Sequence, residues 1–496
     1  MELARAGKIG NGRLKNGDAA TSFGYGFTTI QDPVWTLSQV LMATGGRFVC
    51  GRTEAGFRRV CTDTRNLEPG DLFLALTGDK FNGHDFVAEA MRKGAAGLVV
   101  SQKPEKEMSV PVILVDDTLT ALGDLAAYRR SVMSDLQVLA ITGSSGKTTV
   151  KEMTAFLLAK EYNVLKTEGN FNNLIGMPLS LLPVGYHHDF AVMEMGMNRP
   201  GEIARLTEIA APDIACITNV QDAHLAGLQD VNGVARAKGE LFAGIKAWGT
   251  LVVNIDDSRV RALAKRCRQK KITFGKSPKA EVRATRVVSL GERGMSFTLQ
   301  IGQKSSRVRI KSLGAHNVIN SLAAAAMGHA AGLKFTDIVK GLEGFAPFEK
   351  RMQVEKLVGG IKLVNDCYNA NPSSMLAALE TMQHMDHKHK KIVILGDMLE
   401  LGQHSDAAHG YIGATVGKLK FDYLLTVGAY AEQVVAGALK MGMSPKKAMV
   451  FADKKEITAW LTKMIEKDEL SEGDWVLVKG SRGMKMETIT QGMLAE

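Results

Sequence analysis

The stretch from Leu136 to Lys151, LQVLAITGSSGKTTVK, constrains the fold more than any other, because an apolar strand, a glycine turn and a helix start meet around one lysine. Gly143 and Gly146 let the backbone turn its N–H groups inward, with Ser144 and Ser145 between them. The helix that begins near Lys147 aims its positive end at the same space. Lys147 supplies a point charge, and the hydroxyl of Thr148, followed by Thr149, can reach a phosphate-bound Mg²⁺. This is the short GxxGK[ST] form, with Ile141 where the longer pattern has a glycine. The apolar strand before it and the helical spacing of Val150, Met153, Phe156 and Leu157 after it support a triphosphate-binding reading. A strand, loop and helix of this kind belong to a parallel α/β sheet.

At 496 residues the chain exceeds what one hydrophobic core supports, and three domains are expected. No apolar run approaches the roughly 18 residues that span a bilayer, and the alanine-rich stretch Val318 to Leu333 reads as a packed helix. The N-terminal 20 residues are basic and glycine-rich without an apolar centre, so residues 1–33 read as a loosely ordered or disordered tail rather than a secretory signal. Five widely spaced cysteines without a CxxC pair fit reduced thiols in a cytoplasmic protein. The formal charge of +10 invites a nucleic-acid reading, yet it is spread along the chain among acids without an aromatic-basic motif; a polyanionic small substrate explains it equally well, and no nucleic-acid partner is expected. HKHKK, at 387–391, reads as a solvated loop before a strand.

The rhythm along the chain divides it into a small α/β unit at 34–133, a central unit at 134–350 that opens with the phosphate loop, and a doubly wound unit at 351–496. Strands are expected at DLFLAL and GLVVS in the first, and at DFAVMEMG and DIACITNV in the second. The third carries IKLVND, KIVILGD, DYLLTVG, AMVFAD and DWVLVKG. The KSPKAEVRATR segment near 276 reads as a surface excursion. Glu194 stands where a strand ends, a position from which a carboxylate reaches a metal on a neighbouring phosphate loop. His224 follows a strand end, Lys238 lies in a helical run, and Asn317, Asn320, Arg351, Asp366, Asn369 and Asn371 form an unusually polar set near apolar strands. Alone, Glu194 is weak evidence, a lone histidine or helix lysine is usually structural or solvated, and the polar set is equally compatible with ordinary turn chemistry.

Together, TGSSGKTTVKE, TEGNFNNLIGMPLSLL, EMGMNRPGEI, ITNVQDAHL, ARAKGEL, GAHNVINSLAA, KRMQ, DCYNANPSSM, ILGDMLELG and VKGSRGMKME resemble the Mur ligase family. DTRNLEPGDLFLALTGDKFNGHDF is similar to that family's nucleotide-sugar domain, and the resemblance runs from about Val34 to Met486. It implies a three-domain enzyme with a central P-loop ATPase-like parallel sheet and a C-terminal Rossmann-like domain. The implied reaction is ATP-dependent addition of D-alanyl-D-alanine to UDP-N-acetylmuramoyl-tripeptide through an acyl phosphate, in the cytoplasmic stage of peptidoglycan synthesis. A monomer without a membrane span is expected.

Residue by residue, the resemblance implies that Gly143, Ser144, Ser145, Gly146, Lys147, Thr148 and Thr149 hold the ATP phosphates. Asn170, Asn317 and Asn320 serve the rest of the nucleotide, Arg351 the phosphates across a closed domain boundary, and Asp366 the ribose or the closing interface. Two Mg²⁺ ions are implied, the first on Thr148 and Glu194, the second on His224 and Lys238, the lysine as a carbamate. Lys147, His224, Lys238, Arg351 and Asp366 form the catalytic set. Asp63, Thr64, Arg65, Asn172 and Asn173, with Asn369 and Asn371 near the acceptor, are the expected substrate contacts. The third domain is expected to close about hinges near residues 133 and 350. A sister ligase adding the third amino acid, a folylpolyglutamate-synthase-like ligase and a nucleotide-gated binding module are the competing readings.

Overall fold

Around the glycine turn, a nine-stranded sheet is laid out so that the phosphate loop sits at its switch point. The computed structural model describes residues 35–494 apart from 79–80, 106–107, 223–224, 229, 348–349 and 387, so the expected tail and His224 lie outside the described residues. The strand Gln137–Thr142 has Phe190–Glu194 on one side and Ile214–Ile217 on the other, both parallel to it. Beyond them lie Val164–Lys166 at one edge, and Thr250–Asn254 and Lys270–Gly275 toward the other. The chain therefore leaves its first central strand in one direction and later continues in the other, the arrangement that opens a crevice at the carboxyl ends of the strands. Both faces are covered, which is why Leu139 and Ile141 on one face and Val138 and Ala140 on the other are all fully buried.

The helix Lys147–Leu158 packs on Ala315–Ala330, whose Ala323 to Ala326 are buried and let the two approach closely. Val150, Met153 and Leu157 face this core as their spacing predicts, whereas Phe156 is 38 % exposed and meets Phe345 edge-on. The segment near 276 is more than a surface excursion. Its continuation, Val282–Ser289, pairs with Lys270–Gly275 and, antiparallel, with Met295–Ile301, which pairs in turn with Lys304–Ile310. The alternation of Val282 and Ala284, both buried, is the period of a strand; a register shift between Thr285 and Val288 breaks it where the sequence turns polar.

The first unit has a five-stranded sheet, with Gly97–Val100 between Leu72–Leu74 and Val112–Leu114. Its helix Thr118–Ser131 packs against Gly176–Leu181 and Glu202–Ala210, and one apolar core runs from Trp35 and Leu122 through Met133 to Leu206. The third unit is a six-stranded sheet in which Lys362–Asp366 and Lys391–Leu395 flank Trp475–Lys479, all parallel. Of the basic run 387–391, Lys391 is buried rather than solvated: its ammonium donates to the carbonyls of Gln383 (2.9 Å) and Met385 (3.1 Å), and burial lowers its pKa.

Candidate active site

The phosphate loop is held from three sides. Gly146 caps the helix Lys147–Leu158 at φ 83°, and a Cβ there would lie 2.3 Å from Asn320 Oδ1, so only glycine fits both the backbone and the space. From the neighbouring strand end, Asn219 Oδ1 accepts the Ser145 N–H (2.9 Å) and Thr218 Oγ1 donates to the Ser145 carbonyl (2.6 Å). Ser144 Oγ donates to the Gln221 carbonyl at 2.9 Å. Lys147 Nζ rests on the Gly143 carbonyl at 2.9 Å, closing the loop on itself. Burial lowers the Lys147 pKa, against the opposing pull of Glu194.

Two side chains from the third unit complete the loop. Arg351 Nη2 donates to Thr148 Oγ1 at 2.8 Å while its guanidinium lies 4.0 Å from the centre of the Tyr368 ring. Asn371 Nδ2 donates to the Ser144 carbonyl and to Ser145 Oγ, each at 3.3 Å, and its Oδ1 caps the helix Pro372–Gln383. Asp366 and Lys479 are register partners on adjacent parallel strands, so their side chains meet as an ion pair of 2.5 Å; Lys479 also donates to the Asn369 carbonyl. His316, at the foot of the helix carrying Asn317 and Asn320, has its pKa pushed down to about 4 by burial despite Asp366.

Glu194 and Lys238 are the unusual charges. Glu194 is buried; its Oε1 accepts from Asn172 Nδ2 at 2.7 Å, and its Oε2 has no hydrogen-bond partner, with Lys151 Nζ 4.0 Å away. A hard anionic oxygen left open at a phosphate loop fits a divalent cation, as does Thr148 Oγ1. Among the described residues no three His, Cys, Asp or Glu groups converge on one point. Lys238 is fully buried, its ammonium 3.5 Å from the Met197 sulfur, and burial followed by the Lys147 charge drives its pKa well down.

These groups line a cleft of about 1050 Å³ between the central and third units. Ser144 to Thr149, Asn170, Asn172, Asn173, Glu194, Asn317, Asn320, Arg351, Asp366, Asn369 and Asn371 border it. Gly143 forms the turn beneath, and Lys238 lies behind Met197, which borders it. Asn320 Nδ2 donates to Asn317 Oδ1 (2.9 Å), so the pair stands against the phosphate turn. Asn173 Oδ1 accepts from the N–H groups of Ile175 (3.2 Å) and Gly176 (2.8 Å), in the turn that leads into the helix Gly176–Leu181. Asp63, Thr64 and Arg65 lie apart, in a short turn of the first unit where the Asp63 carboxylate binds Arg65, which holds its pKa below the usual carboxylate range. Asn219, Tyr368 and Lys479 escaped the sequence reading, although ITNVQDAHL, DCYNANPSSM and VKGSRGMKME each carry one of them.

Three family models match in order along the chain: "Mur ligase family, catalytic domain" at 57–130, "Mur ligase middle domain" at 141–328 and "Mur ligase, glutamate ligase domain" at 350–482. The UDP-N-acetylmuramoyl-tripeptide--D-alanyl-D-alanine ligase of Bacillus subtilis is 38 % identical over 88 % of this chain and 93 % of its own length. Its Escherichia coli counterpart is 36 % identical over the same shares, 88 % and 93 %. Among solved structures, MurF from Acinetobacter baumannii superposes with a TM-score of 0.86 at 34 % identity, covering 93 % of this chain and 99 % of that one. MurF from Thermotoga maritima in complex with ADP gives 0.78 at 27 % identity, with 87 % and 96 % covered. All three units being matched in order, by relatives at such identity over nearly their whole length, the chain belongs to the Mur ligase family.

Proposed function

We propose that this protein is an ATP-dependent amide ligase that adds D-alanyl-D-alanine to UDP-N-acetylmuramoyl-tripeptide in cytoplasmic peptidoglycan synthesis. The observation that carries this reading is the Arg351 to Thr148 hydrogen bond, which brings a guanidinium of the third unit onto the phosphate loop of the central one. A carboxylate and a γ-phosphate are both anionic, and cations must converge before one can attack the other. Lys147 and Arg351 supply two of those charges from opposite walls of one cleft. Attack by the tripeptide carboxylate gives an acyl phosphate and ADP; the free amine of the dipeptide then attacks its carbonyl, loses a proton and expels phosphate. Asn219, Asn320 and Asn371 hold the loop in shape, so the N–H groups of 146–148 need not reorganise as charge moves. A closed cleft keeps water from the acyl phosphate.

Glu194 and Thr148 would hold one Mg²⁺, and His224 with Lys238 a second; when bound, these ions neutralise charge on the phosphoryl oxygens. Lys238 is suited to carry a carbamate, since burial pushes its pKa down and so favours the neutral amine that reacts with CO₂; loss of a proton on addition leaves an anionic oxygen ligand. Asp63, Thr64 and Arg65 would meet the UDP end of the substrate, in a unit that carries no part of the phosphate loop. Phosphate release with ATP, Mg²⁺ and UDP-N-acetylmuramoyl-tripeptide tests the reading. Release that requires D-alanyl-D-alanine is expected; release with a single amino acid moves the assignment to a sister ligase, and none with any acceptor overturns it.

A further inference from the structure

The third unit presents to the cleft one carboxylate and one guanidinium that activation of the tripeptide does not employ. Glu400 follows the strand Lys391–Leu395 and has φ 67°, a left-handed backbone that a glutamate keeps only when its surroundings impose it. The surroundings do so residue by residue. The Asp397 carboxylate accepts from the N–H groups of Ala429 (2.8 Å) and Tyr430 (3.1 Å). The Met398 N–H donates to Nε2 of buried His409 (2.9 Å), whose ring stacks on Tyr430 at 4.5 Å. The Leu399 N–H donates to Ser481 Oγ (2.9 Å). Glu400 is thereby delivered to the cleft wall, where its charge acts on Lys147.

Ser481 leads directly into Arg482. Its Nη1 donates to Glu487 Oε1 at 2.7 Å, an oxygen that also accepts from Lys350 Nζ at 2.9 Å. Two cations share one carboxylate, which leaves a net positive charge on this wall, and the Arg482 side chain is 52 % exposed. Leu399, 44 % exposed, supplies apolar surface beside the pair, and a Cβ on Gly483 would come within 3.1 Å of its Cδ1.

We propose that Glu400 and Arg482 are the two ends of the acceptor site, Glu400 receiving the ammonium of the dipeptide and Arg482 its carboxylate, with Leu399 against the methyl groups. This rests on the ligase reading above. The polarity fits that reaction: Glu400 and Lys147 line the same cleft, so the carboxylate that holds the amine shares it with the phosphate loop, where the acyl phosphate forms. A two-residue zwitterion extends about 7 Å, a single amino acid about half of that. The shorter molecule engages one end only, so recognition at both ends selects a dipeptide.

The test pairs a protein variant with a ligand variant. Arg482→Gln leaves Glu487 held by Lys350, so the fold is not at risk. The full-length enzyme is assayed with D-alanyl-D-alanine and with D-alanyl-D-alaninamide, which lacks the carboxylate. The wild type is expected to prefer the dipeptide in kcat/KM by about 10- to 100-fold, the discrimination that a lost charged hydrogen bond produces. In Arg482→Gln that preference should fall to about threefold or less, with KM for ATP and UDP-tripeptide little changed. Glu400→Gln should raise KM for the dipeptide about tenfold. A wild-type preference retained by Arg482→Gln, or an unaltered dipeptide KM in Glu400→Gln, overturns the acceptor-site assignment. Absence of dipeptide-dependent turnover in the wild type fails the ligase reading instead, so the two failures are distinguishable.

Discussion

Replacing Gly146 by alanine asks how much of the phosphate loop depends on one missing methyl group. At φ 83° the new residue sits in the left-handed region, which costs about 1–2 kcal/mol for a residue with a Cβ. The added carbon would also lie 2.3 Å from Asn320 Oδ1, and moving that side chain puts at risk its 2.9 Å hydrogen bond to Asn317. A buried hydrogen bond contributes about 1 kcal/mol, so the combined cost is about 2–3 kcal/mol. If the loop moves to escape that cost, ATP binding carries it, and about 2–3 kcal/mol corresponds to roughly 30- to 150-fold in affinity. Calorimetric titration with ADP, alongside denaturant unfolding, measures both shares. Removing the obstacle separates them: Asn320→Ala should relieve the steric part, leaving the double variant about 1 kcal/mol better than the sum of the singles. Strict additivity, or a Gly146→Ala protein with wild-type ADP affinity and stability, refutes the account of the turn.

Lys147→Ala should abolish phosphate release while leaving the unfolding midpoint close to wild type, since the lysine's own hydrogen bond is to the loop carbonyl of Gly143; near-normal turnover removes the phosphate-loop assignment. Lys238→Ala should be inactive and regain part of its turnover with millimolar formate or acetate, small carboxylates that replace the carbamate oxygen; inactivity without rescue counts against the carbamate. Because the folded His316 titrates near pH 4 and the unfolded near 6.5, only the unfolded chain takes up this proton between those values. Stability is therefore lost as pH falls from about 6.5 to about 4, and His316→Gln should flatten that part of the stability curve. Parallel wild-type and variant curves across the window refute it.

What could be read in the sequence was what is local. The turn at Gly143 and Gly146 is specified by a dozen adjacent residues, and Glu194 is visible because a strand that ends in a carboxylate beside a phosphate loop has a geometric meaning. The strands of the third unit are runs of aliphatic residues, and they are found where those runs are. The three strands from Val282 to Ile310 were harder, because their antiparallel pairing exposes one face and a bulge at Thr285 to Val288 interrupts the alternation. Of the partnerships between units, only Arg351 at the phosphates was anticipated, and by the resemblance rather than by the residues themselves. Nothing in NDCYNANP shows that Asn371 donates into the phosphate loop, 227 positions away from Ser144. Nothing in VKGSRG shows that Lys479 neutralises Asp366, a pairing created only when two parallel strands settle in register.

The same distinction bears on how the site works. The groups that shape the phosphate turn from within the central unit, Asn219, Thr218, Gln221 and Asn320, make contacts that involve no residue of the third unit. Arg351 and Asn371 are different, since each reaches the loop only while the third unit lies against it. Arg351 gives its hydrogen bond to the hydroxyl that is also the candidate Mg²⁺ ligand, Thr148. One oxygen can accept from the guanidinium and still offer a lone pair to a cation, so closure and nucleotide binding converge on one atom rather than on separate parts of the cleft. Arg351→Lys keeps the charge but loses the planar fork that can lie on Tyr368 while donating to Thr148. Its defect should appear mainly in kcat, with the KM for ATP changed far less, because the central unit still binds the nucleotide. A variant impaired equally in nucleotide binding to the open enzyme would place Arg351 among the ground-state contacts and remove its link to closure.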